Sequence, residues 1–408
     1  MTTVRVMRRT VIAVCAAMVL SACSASVPGR GEPAPGQTRA GPTRPTTASP
    51  TPAPPIGAGT VVESHRIAGA ALLIGAVLPE LTDNCSPSGP VVDPAETEGL
   101  DLGLFPPETA APILRTYGFV AGWVYCRSAA DVRATTVFLA ELSDAGSAAV
   151  ASDEIAAVLA VDGYQPAELA DRPEALALIR EDTAGVDGQD VSVLQALLPV
   201  DRMLVYLFHA DLDTEQATTN ATTVLTEQAD LLADFEPTPQ DGIAALNPDP
   251  FDLEGRAADP PGTLTNFSGS YDLDSYLRVA IAPEREREVL LDNGYVGTYV
   301  KQTGLEDGKS YQIVVYEMGS MGQADITFNE FRKIETEEFS GVRFTVPEDL
   351  TIPCFYFQVE DSGIYYQRCY TREGKYLGSI DVFGVMNPFD IAQIRMLNTA
   401  QIQAMRTG

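Results

Sequence analysis

Histidine, tryptophan and basic residues are scarce in this sequence. Its 408 residues include two histidines and one tryptophan, and its 27 lysines and arginines face 56 aspartates and glutamates. The sequence has no phosphate-binding loop, dinucleotide fingerprint, metal-binding histidine pair or nucleophile elbow. We therefore expect no cofactor, no metal site and no catalytic centre of these kinds, and we interpret the protein as a non-enzyme.

The shortage of basic residues is most pronounced after the amino end. The first sixty residues contain six arginines and one acid, which leaves 21 basic and 55 acidic residues for the remainder. An electrostatic field of that sign repels nucleic acid and anionic lipid. A charged partner should therefore be cationic and not a nucleic acid, unless the acidity serves solubility alone.

Long hydrophobic runs are also absent. No stretch after the amino-terminal 22 residues reaches the roughly 18 uninterrupted apolar residues that a membrane-spanning helix needs. The amino end has three arginines and then the apolar run Thr10–Leu20, which is typical of a signal peptide over residues 1–22. The run ends in Leu-Ser-Ala-Cys, which resembles the lipobox of bacterial lipoproteins. We predict lipidation of Cys23, with ordinary cleavage and secretion as a free protein as the alternative.

The lipidated cysteine would be the first residue of a flexible tether. Residues 23–59 consist mainly of Pro, Thr, Ser, Gly and Ala, a composition that is typical of a disordered, partly extended chain. It would hold the folded part off the extracytoplasmic face of the cell membrane, and its threonines permit glycosylation. The remaining length suffices for two domains, which we place at 60–235 and 263–408 with a Pro- and Asp-rich linker at 236–262.

One stretch of the sequence occurs twice. Pro107–Ile155, moved by 176 positions without a gap, aligns with Pro283–Phe331 and shares eleven identical residues with it. Most of the other positions keep their residue type, as Trp123 and Tyr299 do. Internal similarity of this kind predicts two copies of one domain.

Each copy has the same predicted order of elements. A helix ends at Gly118 or Gly294, where a glycine cap is favoured, and two strands, a helix, further strands and a last helix follow. This order predicts the α+β class. We expect two tandem related domains, each an antiparallel sheet with helices on one face.

Four cysteines remain once the signal peptide and the lipidated residue are set aside. An even number in an exported protein favours two disulfides. Cys85 and Cys126 have no counterparts in the second copy, and the first copy lacks both Cys354 and Cys369, so each copy should hold its own bridge. The second pair flanks a predicted hairpin turn at 360–363 and should be opposed across it.

The aromatic side chains of the first repeated strand are the best candidates for a binding surface. Trp123 and Tyr125 lie on one face of the strand in the first copy, and Tyr299 lies on that face in the second. If the two strands met around a cleft, these rings would supply a large contact area. Core packing under the helices predicts the same pattern and is the favoured alternative.

Two acidic residues recur at the end of the second strand. Glu141 and Glu317 stand just before a helix, where the helix dipole favours a carboxylate. A structural role for these two carboxylates is favoured over contact with a ligand.

A catalytic triad is the alternative that would make the protein a hydrolase. It would have to use His209 with Asp211 or Asp213 and a serine that the sequence does not identify.

The lipobox, the Pro/Thr-rich tether and the duplicated domain resemble an uncharacterised family of actinobacterial surface lipoproteins with two tandem α+β repeats. More distantly, the order of elements in one copy is similar to that of the disulfide-containing extracellular sensor domains of mycobacterial serine/threonine kinases. The resemblance implies no functional residues here. We therefore expect a lipid-anchored envelope protein that binds a ligand or a partner protein. The alternatives are a hydrolase with an unrecognised site and a structural spacer.

Overall fold

The computed structural model describes residues 57–99, 102–129, 132–184, 189–305, 308–337, 341–346, 349–359, 364–385 and 391–408. Cys23, the signal peptide, the tether up to residue 56 and the turn at 360–363 lie outside the described residues.

The described part of the first copy contains one antiparallel sheet of eight strands, called sheet 1. Its strands are β1 (Asp83–Asn84), β2 (Gly89–Val91), β3 (Ala121–Ser128), β4 (Ala134–Glu141), β5 (Gln165–Ala167), β6 (Leu176–Ala184), β7 (Gln189–Val200) and β8 (Met203–Asp211). The order across the sheet is β1-β3-β4-β8-β7-β6-β5, and β2 also pairs with β3.

Sheet 2, in the second copy, repeats this architecture. Its strands are β9 (Thr263–Leu264), β10 (Gly269–Tyr271), β11 (Tyr295–Gly304), β12 (Ser310–Met318), β13 (Val342–Val346), β14 (Asp349–Val359), β15 (Ile364–Glu373) and β16 (Tyr376–Val385). The order is β10-β11-β12-β16-β15-β14-β13, with β9 on β11, so the two sheets share one topology. The predicted α+β class with two tandem antiparallel units is confirmed, whereas the predicted domain boundaries stay predictions.

The helices lie on both faces of each sheet, which corrects the expectation of one covered face. They are α1 (Ala58–Ala70), α2 (Ile74–Val77), α3 (Ala110–Thr116), α4 (Ala145–Val161), α5 (Thr214–Ala233), α6 (Leu273–Tyr276), α7 (Pro283–Asp292), α8 (Met321–Glu337) and α9 (Ile391–Thr407). In sheet 1, Val193 belongs to the core beneath α4 while its neighbour Leu194 belongs to the core beneath α5. Successive strand residues point to opposite faces, so a strand that is apolar at both positions needs cover on both sides.

The glycines expected to end the first helix of each copy do so. Gly118 follows α3 with φ 70°, and Gly294 follows α7 with φ 62°. This left-handed conformation suits glycine because it has no Cβ. Pro283 opens α7 at a position where its missing N–H is not needed.

Both predicted disulfides are present. Cys85 is bonded to Cys126 and Cys354 to Cys369. Cys354 is the register partner of Cys369 across β14 and β15, with their Cα atoms 4.1 Å apart. Each bridge therefore joins neighbouring segments of one sheet.

Helix α1, which directly follows the tether, is built into the core between the two sheets. It packs on β3 of sheet 1 and on α6 and β10 of the second unit. By length and composition alone, Ala58–Val77 would suffice to cross a membrane, but core helices pass the same test and 56% of its most apolar window is buried inside the protein. The linker is packed as well, since its 3₁₀ turn Ile243–Ala245 lies against α1.

The close contact between α1 and the linker gives a test of this packing. A Cβ at Gly59 would lie 1.9 Å from the carbonyl oxygen of Ile243. Because that atom belongs to the backbone, Gly59→Ala should lower the free energy of unfolding by about 1–3 kcal/mol in urea titrations. The matched control is Gly322→Ala in α8, where a Cβ meets nothing within 4 Å, so no loss is expected. Equal stability of the two variants would contradict the packing.

Candidate functional site

The aromatic residues of β3 are buried. Trp123 is 0% exposed and Tyr125 is 2% exposed, and both belong to the core that includes α1 and α5. Arg127 Nε donates a hydrogen bond of 2.8 Å to the hydroxyl of Tyr125. These side chains therefore form core, as in the alternative considered above, and not an open binding surface.

Tyr299 holds the matching position in β11 but belongs to a different core. It packs with Leu253 and with Ile394 of α9, on the outer side of sheet 2. Trp123, in contrast, lies in the core that the two units share. The two aromatic strands therefore do not line a common cleft.

Glu141, the last residue of β4, lies in a buried carboxyl cluster with Glu63 of α1. Both are 0% exposed. Two guanidinium groups accompany them: Arg202 Nη2 lies 2.6 Å from Glu141 Oε1, and Arg66 Nη1 lies 2.7 Å from Glu63 Oε2. Burial, followed by the negative charge of Glu63, raises the pKa of Glu141 to about 8 against the opposing effect of Arg202. Glu141 is therefore mostly neutral at physiological pH.

Thr238 of the linker completes this cluster. Its backbone N–H donates to Glu63 Oε1 at 2.9 Å, and its hydroxyl donates to Oε2 at 2.6 Å. Its carbonyl oxygen accepts a hydrogen bond of 2.5 Å from Arg202 Nη2. The cluster thus joins α1, the end of β4 and the start of the linker through hydrogen bonds and ion pairs.

A carboxyl group with a raised pKa suits acid–base chemistry. A substrate cannot reach Glu141, however, because this carboxyl has no exposed surface.

Glu317, the counterpart of Glu141 in the second copy, has a different environment. Its side chain is 14% exposed and forms an ion pair with Lys375, whose side chain is 44% exposed. The repeat therefore preserves the position of this carboxylate but not its surroundings.

His209 lies in a hydrogen-bonded cluster that has the order of a catalytic triad. Thr135 Oγ1 lies 2.8 Å from His209 Nδ1, and Asp211 Oδ2 lies 3.6 Å from Nε2. A hydroxyl, an imidazole and a carboxylate in this order can activate a nucleophile. However, Thr135 is 0%, His209 1% and Asp211 5% exposed. We interpret the cluster as a polar part of the core, with Thr135 in place of the serine that the sequence did not identify.

His65 of α1, which stands a few residues after the predicted tether, is a central contact between the units. Its Nε2 lies 2.9 Å from the carbonyl oxygen of Asn266 and 3.0 Å from the hydroxyl of Tyr271. Its ring stacks on Tyr271 with the centroids 4.3 Å apart. Burial lowers the pKa of His65 to about 4, so the imidazole is neutral at physiological pH.

The second unit has a buried ion network of its own. Arg368 binds both carboxylate oxygens of Asp381, at 2.5 and 2.9 Å, and Glu335 at 3.1 Å. Tyr370 donates a further hydrogen bond of 2.9 Å to Glu335. All of these groups are paired inside the protein, which indicates a structural role.

The described residues contain a narrow apolar crevice between α3 and α4. Phe105, Ile113, Ile155 and Val158 are among its lining residues, and its empty volume is about 150 Å³. That volume includes space open to solvent, and the crevice has no enclosed room for a water molecule. Sites for drug-sized ligands usually measure roughly 300–1,000 Å³, so the crevice cannot hold one. Within the described ranges, no group of three or more His, Cys, Asp or Glu residues could hold a metal ion.

The raised pKa of Glu141 predicts a contribution to stability that falls as the pH rises. The pKa of Glu141 is about 8 in the folded protein, above its ordinary value of 4.5, so its contribution to stability is complete below pH 4.5 and is lost as the pH rises through 8. Between pH 5 and 8.5 the contribution of Glu141 to the free energy of unfolding should drop by several kcal/mol, since each pKa unit corresponds to about 1.4 kcal/mol. The lowered pKa of His65 acts in the opposite direction below pH 6.5, so the variant is compared with the wild type at each pH.

Glu141→Gln should flatten this dependence, because a neutral amide of the same shape replaces the carboxyl. Glu317→Gln is the matched control, and its free energy of unfolding should change with pH as that of the wild type does. Denaturant titrations at several pH values measure both. The same pH dependence in Glu141→Gln as in the wild type would contradict the raised pKa of Glu141.

The comparison with protein families concerns mainly the first unit. Residues 50–248, just under half of the chain, match the family model described as the N-terminal part of a domain of unknown function, DUF7373. No curated protein matches the chain in sequence. Among solved structures, the extracellular domain of PknH from Mycobacterium tuberculosis is similar over 41% of this chain and 96% of that domain, with 13% identity and a TM-score of 0.28. The first unit is thus similar in sequence to a domain family whose function is not known.

Proposed function

We propose that the protein is a lipid-anchored, non-enzymatic module of the cell envelope that binds a partner protein through its outer surface. The burial of its reactive groups carries this proposal. His209 and Glu141, the groups best suited to acid–base chemistry, are 1% and 0% exposed and are held by other side chains. A surface, and not a pocket, is then where recognition takes place.

The position of α1 supports the anchored arrangement. The predicted lipid anchor and tether lead directly into this helix, which contacts both units. Two packed units, each with its own disulfide, can approach a partner at some distance from the bilayer on a long tether.

The hydrolase remains a second candidate because Thr135, His209 and Asp211 are brought together. If it were correct, His209→Ala would abolish labelling of the purified protein by an activity-based hydrolase probe. We expect no labelling of either the wild type or the variant. Labelling of the wild type that His209→Ala removes would contradict the non-enzymatic proposal.

The lipid anchor is tested by the cell fraction in which the full chain is found. Cys23→Ser should shift the protein from the membrane fraction to the soluble fraction or the medium, because the thiol that accepts the lipid is lost. Cys15→Ser, within the predicted signal peptide, is the matched control and should remain at the membrane. Immunoblots of fractionated cells measure both. Retention of Cys23→Ser in the detergent-soluble membrane fraction would contradict lipidation.

Partner binding is tested on intact cells. A membrane-impermeant crosslinker added to cells that express the wild type should give a reproducible adduct with one envelope protein, identified by mass spectrometry. Cells that express Cys23→Ser should give less of this adduct. The absence of any reproducible adduct would favour the alternative that the protein is a structural spacer without a partner.

A further inference from the structure

Two arginines are buried where the first unit meets the second. Arg127, in β3, is 2% exposed, and Arg278, two residues after α6, is 7% exposed. Both lie close enough to Tyr125 for their positive charges to act on its hydroxyl. Burial raises the pKa of Tyr125, so this hydroxyl is neutral and balances neither charge.

Arg278 is held mainly by backbone carbonyl groups. Its Nε donates to the carbonyl oxygen of Ala71 at 2.6 Å, and its Nη1 donates to that of Asp274 at 3.0 Å. Burial lowers its pKa to about 10, against the charges of Tyr125, Asp274 and Asp272, so the side chain is charged at physiological pH. Carbonyl oxygens satisfy its hydrogen bonds but carry no full negative charge.

Arg127 has a nitrogen that makes no hydrogen bond. Its Nε donates to the hydroxyl of Tyr125 at 2.8 Å, and its Nη1 donates to the carbonyl oxygen of Thr82 at 3.3 Å. Its Nη2 is buried and has no hydrogen-bond partner among the described residues. Glu284 Oε2 of α7 lies 4.0 Å from this nitrogen, which is too far for a hydrogen bond. A buried charged donor without an acceptor is costly, so an acceptor placed here would gain free energy.

The second copy shows that the fold does not require a charge at this position. The residue that corresponds to Arg127, 176 positions later in the chain, is Thr303 of β11, which is also buried. Its hydroxyl donates a hydrogen bond of 2.6 Å to the carbonyl oxygen of Pro261. A neutral side chain is thus accommodated at the same place in the fold, and packing alone does not account for the buried guanidinium of Arg127.

The carboxylate of Glu284 occupies a notch beside Arg127. Its side chain is 53% exposed, so it can turn towards solvent with little loss of packing. Its Oε1 lies over Gly75 of α2, where a Cβ would approach it to 2.7 Å. The notch therefore exists because residue 75 has no side chain. When Glu284 turns outwards, Arg127 Nη2 becomes available to another anion.

We propose that this notch binds a phosphate group, which takes the place of the Glu284 carboxylate and accepts a hydrogen bond from Arg127 Nη2. Arg287 is exposed on α7 and lies on the same face as Glu284, three residues later, so it can pair with the outer oxygens. Guanidinium groups suit phosphate because they offer several N–H donors in a fixed plane. A free carboxylate would gain little over Glu284, whereas a phosphate has more charge and more oxygens.

This inference goes beyond the proposed function, because it concerns the boundary between the units and not the contact with a partner protein. The net charge of −29 opposes an anion at long range. Charges farther away than about 8 Å are largely screened at physiological ionic strength, however. The adjacent guanidinium groups therefore dominate at the notch. A phosphate bound to Arg127 and Arg287 would connect the first unit to the second.

The site is tested by isothermal titration calorimetry of the full chain in detergent with inorganic phosphate at constant ionic strength. Saturable binding of one phosphate per chain is expected. Glu284→Gln should tighten binding by about tenfold, because it removes the competing negative charge. A misfolded variant could not give this gain. Gly75→Ala should weaken binding, because its Cβ would fill the notch.

Loss of the guanidinium gives the opposite result. Arg127→Gln should weaken phosphate binding by about tenfold or more. Arg115→Gln in α3 is the matched control, since it removes an exposed arginine elsewhere, and it should bind as the wild type does. Thermal unfolding without phosphate shows whether each variant is folded, and Glu284→Gln and Gly75→Ala decide if Arg127→Gln is not. Equal affinity of the wild type and these variants would indicate an adventitious ion only and overturn the proposal, as would the absence of saturable binding.

Three further titrations define the ligand. Glycerol 3-phosphate represents a soluble phosphate monoester, and glycerophosphoglycerol represents the phosphodiester of a lipid headgroup. We expect the monoester to bind more tightly, because it carries more negative charge. Tighter binding of the diester, if Arg127→Gln weakens it, would support the notch and assign it to a lipid headgroup. Acetate should not compete with phosphate, and acetate that binds as tightly would overturn the proposed class of ligand.

Discussion

Removal of the polar groups of α1 from water is the constraint on which the rest of the structure depends. Glu63, Ser64 and His65 are consecutive residues, and each is at most 3% exposed. A buried polar group is costly unless it is hydrogen-bonded. Each of the three finds its partner in a different part of the chain: Glu63 in the linker, Ser64 at the carbonyl of Gly122 in sheet 1, and His65 beside sheet 2. One helix therefore fixes the relative position of three segments.

The duplication explains the architecture but not the specialisation of each copy. Both sheets have the same strand order, and their helices follow at the same spacing. Side chains at matched positions nevertheless differ in environment. Glu141 is buried beside α1 while Glu317 is paired at the surface with Lys375. The units pack with different faces, because the core around Trp123 in sheet 1 continues into the core around Tyr316 in sheet 2. Two copies of one fold thus offer different surfaces to solvent.

The reactive groups of the protein are used for structure. The carboxyl cluster of Glu63 and Glu141, the cluster around His209 and the network around Arg368 are all buried, and ion pairs or hydrogen bonds inside the protein hold each of them. Such networks define which segments pack together, since an incorrect arrangement would leave buried charges without partners. In the proposed function, recognition is therefore left to the outer surface.

The sequence by itself determined the elements that depend on local periodicity and on comparison of the chain with itself. The repeat, the strands around Trp123 and Tyr299, the glycine caps and the pairing of cysteines within copies all follow from spacing along the chain. Helix α1 and strand β6 were not predicted, and the helices were expected on one face of each sheet. Alternating apolar positions show that a strand is buried but not what covers each side.

Only the tertiary structure decided the roles of the candidate residues. Trp123 and Tyr299 have the same local pattern, yet they enter different cores because each unit meets the other with a different face. His65 stands a few residues after the tether and gives no sequence signal of its contact with Tyr271, which is 206 positions away. Contacts over such separations depend on how the sheets are assembled, and this information is not contained in the order of neighbouring residues.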